Sequence, residues 1–240
     1  MKKRKIIELS PPLPPKDWLS TFQLIQQMRA DYKAPVDTMG CDRLAKSTNP
    51  KDQRFQKLVA LMLSPQTKDT ITSAAFNKLN DHFKTDGLTV KNILLEPVES
   101  IQELIKPVGF YRRKAVFLKK AASILQEEHD GDVPDSVEAL TKLPGVGPKI
   151  AYLALQVAHD RVDGIGVDTH VHRICNRLEW VKSKDAEETR IALQQWLPKE
   201  FWTEINPLLV GFGQTVCLPV RPKCADCLVK CPFYYSSNKS

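Results

Sequence analysis

Three observations predict an all-α fold. Apolar residues recur at helical spacing through almost the whole 240-residue chain, helix start and stop signals flank those stretches, and no segment alternates apolar and polar residues convincingly enough for a strand. The first helix is predicted over residues 18–29, where Trp18, Leu19, Phe22 and Ile25 share a face. Further helices follow over 53–63 (Phe55, Leu58, Val59, Met62), over 70–83 (Ile71, Ala74, Ala75, Leu79) and from Ala115 through Leu118, Ala122 and Leu125. Ser100 with Glu103 reads as a capping box, and Ser136 and Asp185 are placed to cap "VEALTKL" and "AEETRIALQQWL". Ahead of the first helix, "SPPLPPKD" reads as a stiff exposed linker carrying a short basic tail, Lys2, Lys3, Arg4 and Lys5. That tail suits a nuclear address as well as a plain solvated terminus.

Composition narrows the class. Lys and Arg number 35 against 28 Asp and Glu, a formal charge of +7 that favours a polyanionic partner without requiring one. No apolar run reaches the roughly eighteen residues of a membrane span, and "MKKRKIIELS" lacks the apolar stretch of a secretory signal, so an intracellular, non-membrane protein is expected. In a reducing compartment, Cys217, Cys224, Cys227 and Cys231 within fifteen residues point to a metal rather than to disulfides. Cys41 and Cys175 stand alone and read as small buried residues.

The stretch "LPGVGPKIA" lies between two helix-like segments, 137–143 and 149–158, and so reads as a helix-hairpin-helix. Gly145 and Gly147 can take positive φ and admit another backbone, and the helix that follows offers unpaired N–H groups at its positive end, as a phosphate requires. Lys149 falls in the first turn of that helix, where a cation opposes the dipole and costs stability. The same field, with partial burial, favours the neutral amine that can attack an electrophilic carbon; a phosphate-contacting lysine tolerates the position too. In "GIGVDTHVHRICNRL", Asp168 stands immediately before a helical run, where one carboxylate can both cap the helix and face a reacting centre. His170 and His172 are two apart on that helix and point to different faces, which argues against a metal pair.

The motifs "LPGVGPKIA", "VDTHVHRICNRL", "LMLSPQTKD", "PVGFYRRKA" and the terminal cysteines resemble the endonuclease III family of DNA repair enzymes, specifically its eukaryotic thymine-glycol glycosylase branch, from about Trp18 onward. The resemblance implies a helix-hairpin-helix glycosylase fold of two helical lobes. Residues 51–161 would form a six-helix barrel, 18–50 plus 162–240 a cluster-containing domain, and 1–17 a flexible tail. It implies Lys149 as Schiff-base nucleophile, Asp168 as catalytic aspartate, Gln66 as the residue filling the gap left by an extruded base, and Phe110 as a second wedge. Asp69 matches a lesion-pocket position, although an N-cap role explains it as well. Phe110 also has a plain reading as a core aromatic.

The family's usual cysteine spacing is C-x6-C-x2-C-x5-C; here it is C-x6-C-x2-C-x3-C, which brings Cys231 two residues early. A [4Fe-4S] cluster is implied, with zinc on the same thiolates as the alternative. Either would brace the loop in which Arg221 and Lys223 can meet phosphate. The implied activity is excision of an oxidised pyrimidine from double-stranded DNA and β-elimination at the abasic site, by a monomer acting in the nucleus with the mitochondrion as a second compartment. A monofunctional adenine glycosylase and a non-catalytic DNA-binding scaffold are the alternatives. The first lacks the hairpin lysine, and the second needs neither Lys149 nor Asp168.

Overall fold

The computed structural model describes residues 13–84 and 86–237; the basic tail Lys2–Lys5 lies outside them. Its elements are α1 (Trp18–Asp31), α2 (Pro35–Met39), α3 (Pro50–Leu63), α4 (Asp69–His82), α5 (Val90–Leu95), α6 (Val98–Ile105) and α7 (Tyr111–Glu128), followed by α8 (Val137–Leu140), α9 (Pro148–His159), α10 (Thr169–Arg177), α11 (Ala186–Trp196), α12 (Trp202–Thr215) and α13 (Pro232–Ser237). No strand occurs among the described residues, and no helix there is long and apolar enough to cross a membrane.

Buried apolar side chains fall into two cores. One is built from α3 to α9 around Phe55, Leu58, Phe76, Leu118 and Leu155, with Leu44 joining it from the segment before α3. The other takes Phe22 and Ile25 from α1 together with Val171, Ile174, Leu193, Leu209 and Phe212 from α10, α11 and α12. The N-terminal helix therefore packs with the C-terminal third of the chain, and Trp18 stacks edge-on against both Trp196 and Phe201. Burial of this many apolar side chains, at about 25 cal/mol per Å² of area withdrawn from water, is the main force holding each core.

Polar ties set how the elements sit. Gln56, buried on α3, accepts from the backbone N–H of Lys46 at 2.7 Å and of Ser47 at 3.0 Å and donates to the Leu88 carbonyl at 3.1 Å and to Asn80 Oδ1 of α4 at 3.4 Å, so it fixes two connecting segments and a neighbouring helix. Pro207 lies inside α12 and cannot donate to the carbonyl of Thr203. Gln156 of α9 donates to that carbonyl instead at 2.9 Å, which links the two cores.

Of the caps expected at Ser100, Ser136 and Asp185, two are present. Ser136 accepts from Ala139 N–H at 3.3 Å and Asp185 from Glu188 N–H at 2.8 Å. The Ser100–Glu103 capping box is not: α6 starts earlier, with Pro97 at the cap position, so Ser100 already lies within the helix and its hydroxyl donates to Glu96. The Pro97 ring sets a helix-compatible φ and moves the start upstream.

Candidate functional site

Three junctions between elements border one cleft of about 830 Å³ between the two cores: the α3–α4 turn, the α8–α9 hairpin and the residues Val167 and Asp168 just before α10. Gln66, Asp69, Lys149, Asp168, His170 and Gln214 are among the residues that line it.

The hairpin is held by its apolar side. Leu140, Leu143 and Val146 are buried, and Val146 N–H closes the turn on the Leu143 carbonyl at 3.0 Å. Gly145 has φ +83°, and a Cβ there would come within 2.7 Å of Phe117, so both the backbone and the packing require glycine. The expectation of positive φ fails at Gly147, which caps α9 at φ −93°, ψ 178°. The reason is Pro148, whose ring drives the preceding residue into extended backbone. Nothing lies within 4 Å of where a Gly147 Cβ would stand, so the first N–H groups of α9 are open to a ligand. Lys149, half-buried one residue after Pro148, extends into the cleft.

Asp168 caps α10 as expected, its Oδ1 accepting from Val171 N–H at 2.8 Å. Buried Val167, Val171 and Ile174 pin this junction, so the carboxylate is aimed by packing on both sides. The two histidines separate as their spacing requires. His172 pairs through Nδ1 with the Thr189 hydroxyl at 2.7 Å, whereas His170 lies on the cleft wall, its Nδ1 3.2 Å from an Arg173 nitrogen. Burial pulls the His170 pKa below its usual value and favours the neutral ring.

Asp69 does not cap. It is the first residue of α4, Lys68 holds the cap position, and the Asp69 carboxylate instead accepts from Gln214 Nε2 at 2.7 Å. Gln214 in turn accepts from Val36 N–H at 3.2 Å, so an α12 side chain ties α2 and α4 together at the cleft.

Gln66 and Phe110 both have left-handed backbones, φ 54° and 57°. Their turns touch: Gly109 N–H donates to the Thr67 hydroxyl at 3.1 Å, and a Cβ at Gly109 would approach the Gln66 carbonyl to 2.7 Å. Phe110 is 64% exposed, which removes its reading as a core aromatic. It shares with Gln66, Phe117 and Gly145 a cavity of about 240 Å³.

Cys217, Cys224, Cys227 and Cys231 line one small cavity together with Arg177 and Phe233. Arg177 Nη1 donates to Cys217 Sγ at 3.3 Å and to the Leu218 carbonyl at 2.7 Å. The early Cys231 is accommodated because α13 starts at the very next residue, with Tyr234 N–H returning to the Cys231 carbonyl at 2.9 Å. Four thiols around one cavity, one of them held by a guanidinium, fit a group carried by four thiolates. Among the described residues, no three His, Cys, Asp or Glu side chains meet at a single-ion position. Arg221 and Lys223 are exposed on the loop between Cys217 and Cys224 and do not reach the cleft, which takes Leu218 and Pro219 from that loop. Cys41 is half-buried beside Asp69 and Lys149, and burial pushes its thiol up to about 12.

A hairpin-borne lysine and a helix-capping aspartate thus line one cleft between two helical cores, in a helix-hairpin-helix protein. The HhH-GPD superfamily base excision DNA repair protein model matches residues 59–199. Endonuclease III-like protein 1 of Bos taurus is 50% identical over 228 residues, covering 93% of this chain and 73% of that protein. Endonuclease III homolog 1, chloroplastic, of Arabidopsis thaliana is 49% identical over 237 residues, and the chain spans 62% of its length. An endonuclease III solved as a trapped covalent intermediate with DNA, in its estranged-adenine complex, superposes with a TM-score of 0.80 at 26% identity, covering 95% of this chain and all of that one. The chain belongs to the endonuclease III family.

Proposed function

We propose that this chain is a DNA glycosylase of base excision repair that also nicks abasic sites, acting as a monomer on oxidised pyrimidines such as thymine glycol in double-stranded DNA. The observation that carries the reading is the cleft itself: Lys149 at the open first turn of α9 and Asp168 at the cap of α10 border the same space, beside two exposed left-handed residues. On this reading the two cores belong to the domains 51–161 and 18–50 plus 162–240, with Leu44 packing across into the first, and a duplex runs along the cleft between them. Action on nuclear DNA, and on mitochondrial DNA, belongs to the same proposal.

The chemistry follows from those groups. A pyrimidine that has lost aromaticity stacks poorly, so turning it out of the duplex costs less than turning out a normal base. The Lys149 amine attacks C1′ through its nitrogen lone pair, and the base leaves with the electron pair of the glycosidic bond. Loss of the amine proton and opening of the sugar give an iminium. That iminium withdraws electrons from C2′, whose proton is removed, and the C3′–O bond breaks to release the 3′ strand. Asp168 is placed to take the amine proton or to stabilise positive charge at C1′. A phosphate beside the lesion takes the open N–H groups after Gly147, and phosphates farther along the duplex, outside the cleft, meet the exposed Arg221 and Lys223. Nicking of an abasic duplex with no added nuclease, together with a borohydride-reduced adduct on thymine-glycol DNA, tests the proposal. Absence of both sinks it.

The thiolates of Cys217, Cys224, Cys227 and Cys231 would hold a [4Fe-4S] cluster. When bound, it cross-links the loop after α12 to α13. The purified protein should be yellow-brown, and Cys231→Ser should lose that colour and melt earlier; a colourless protein with one zinc per chain would assign the thiols to zinc instead. Gln66→Ala should slow processing of a paired lesion more than of a single-stranded one, because a residue that fills the vacated stack matters only where there is a stack. Equal losses on the two substrates would remove Gln66 from that role.

A further inference from the structure

Lys114 is the buried cation that the proposed chemistry leaves unused. It lies in the first turn of α7, 8% exposed, and no carboxylate pairs with it in any described ion pair. Its ammonium donates to three oxygens of one turn: the Leu63 carbonyl at 2.6 Å, the Pro65 carbonyl at 2.7 Å and the Thr67 hydroxyl at 3.3 Å. With the Thr67 hydroxyl hydrogen given to the Pro65 carbonyl, Thr67 can only accept from Lys114, and the three contacts then use all three N–H bonds of the charged form. Burial pulls the pKa down to about 8, which still leaves the ammonium predominant at neutral pH. The Leu63 carbonyl belongs to the last turn of α3, where the helix dipole favours a cation and partly offsets its desolvation.

The turn so held is the one that carries Gln66, and it is joined to the one that carries Phe110. Between the two ammonium-bound carbonyl and hydroxyl positions, at Pro65 and Thr67, stands the left-handed Gln66. The Thr67 hydroxyl has a complete set of partners, accepting from Lys114 Nζ and Gly109 N–H and donating to the Pro65 carbonyl at 3.3 Å. Gly109 is followed directly by the left-handed Phe110, and Lys114 N–H returns to the Phe110 carbonyl at 3.0 Å. Left-handed backbone is costly for a residue with a Cβ and persists only where the surroundings fix it.

From this geometry we infer that Lys114 is a positioning residue: its ammonium locks the turns of Gln66 and Phe110 into one rigid double wedge before DNA arrives. The inference rests on the reading that Gln66 and Phe110 enter the duplex. It assigns Lys114 no contact with the lesion or with phosphate.

The test compares Lys114→Met, Gln66→Ala and the double variant at neutral pH, each on the same thymine-glycol strand in duplex and single-stranded form. The ratio of the two rates cancels any difference in active fraction. Lys114→Met should lower the duplex-to-single-strand ratio roughly tenfold and add little in the Gln66→Ala background, as for residues coupled in one network. A fluorescent adenine analogue opposite the lesion gives a second readout. It should brighten on binding of the parent protein, as the inserted wedge separates the analogue from its stacking neighbours, and stay dark with Lys114→Met at saturating protein. If Lys114→Met does not fold, Thr67→Val carries the test, since it cuts the Gly109 link while leaving both carbonyl bonds; a fall in the ratio is again expected. If Gln66→Ala itself leaves the ratio unchanged, the wedge reading fails and takes this inference with it. If Gln66→Ala lowers the ratio while Lys114→Met or Thr67→Val reduces both rates equally, the wedge stands and the inference is overturned.

Discussion

Lys149→Gln is expected to abolish the borohydride-trapped adduct and strand nicking while leaving binding to abasic duplex nearly intact. Glutamine keeps much of the side chain's length and polarity but has no nucleophilic amine, so no iminium forms for borohydride to reduce. The substitution should be benign for the fold. Lys149 lies in the first turn of α9, where a cation opposes the dipole, and its removal relieves that cost. Binding should persist because the open N–H groups after Gly147 are backbone and remain, and the salt dependence of binding should weaken by about one counterion at most. Denaturing gels read the adduct, and titration at two salt concentrations reads the binding. A Lys149→Gln protein that still traps and nicks at the parent rate would reduce this lysine to a phosphate contact.

Much of this was legible in the sequence because local rules govern it. The α10 cap at Asp168 follows from its own residue type and its place ahead of an amphipathic run, and the structure has that bond. The divergence of His170 and His172 follows from helix geometry alone. What the sequence could not show is set by long-range partners. Asp69 has the right type and place for a cap, yet its carboxylate is taken by Gln214, 145 positions away. The helix over Trp202–Thr215 escaped the periodicity reading because Pro207 and two glycines interrupt it; a side chain of α9 supplies the bond that the proline cannot. Gln214, His170 and Lys114 carried no signal. A polar residue in an apolar run, a histidine with a plausible surface role and one lysine in "YRRKA" look ordinary until the elements they bridge are assembled. Gly147 is extended rather than left-handed because Pro148 follows it, a neighbour effect that the glycine's own residue type does not announce.

The cap bond at Asp168 makes a clean separation of structure from chemistry possible. Asparagine caps helices about as well as aspartate, and its side-chain oxygen can accept from Val171 N–H as Asp168 Oδ1 does at 2.8 Å. Asp168→Asn should therefore melt within a degree or two of the parent, whereas Asp168→Ala, which loses the cap, should be destabilised by about 1 kcal/mol. Both remove the negative charge from the cleft. If that charge takes the Lys149 proton or steadies cationic character at C1′, excision of thymine glycol should fall by roughly 10²–10⁴-fold in both variants, the range for a positioned acid–base group. Single-turnover rates with protein in excess give the comparison. The neighbouring His170, whose burial favours the neutral ring, does not supply a substitute charge. An Asp168→Asn protein with near-parent excision, beside an unstable and inactive Asp168→Ala, would show that Asp168 serves α10 alone; equal and large losses with unequal stability would place its carboxylate in the reaction.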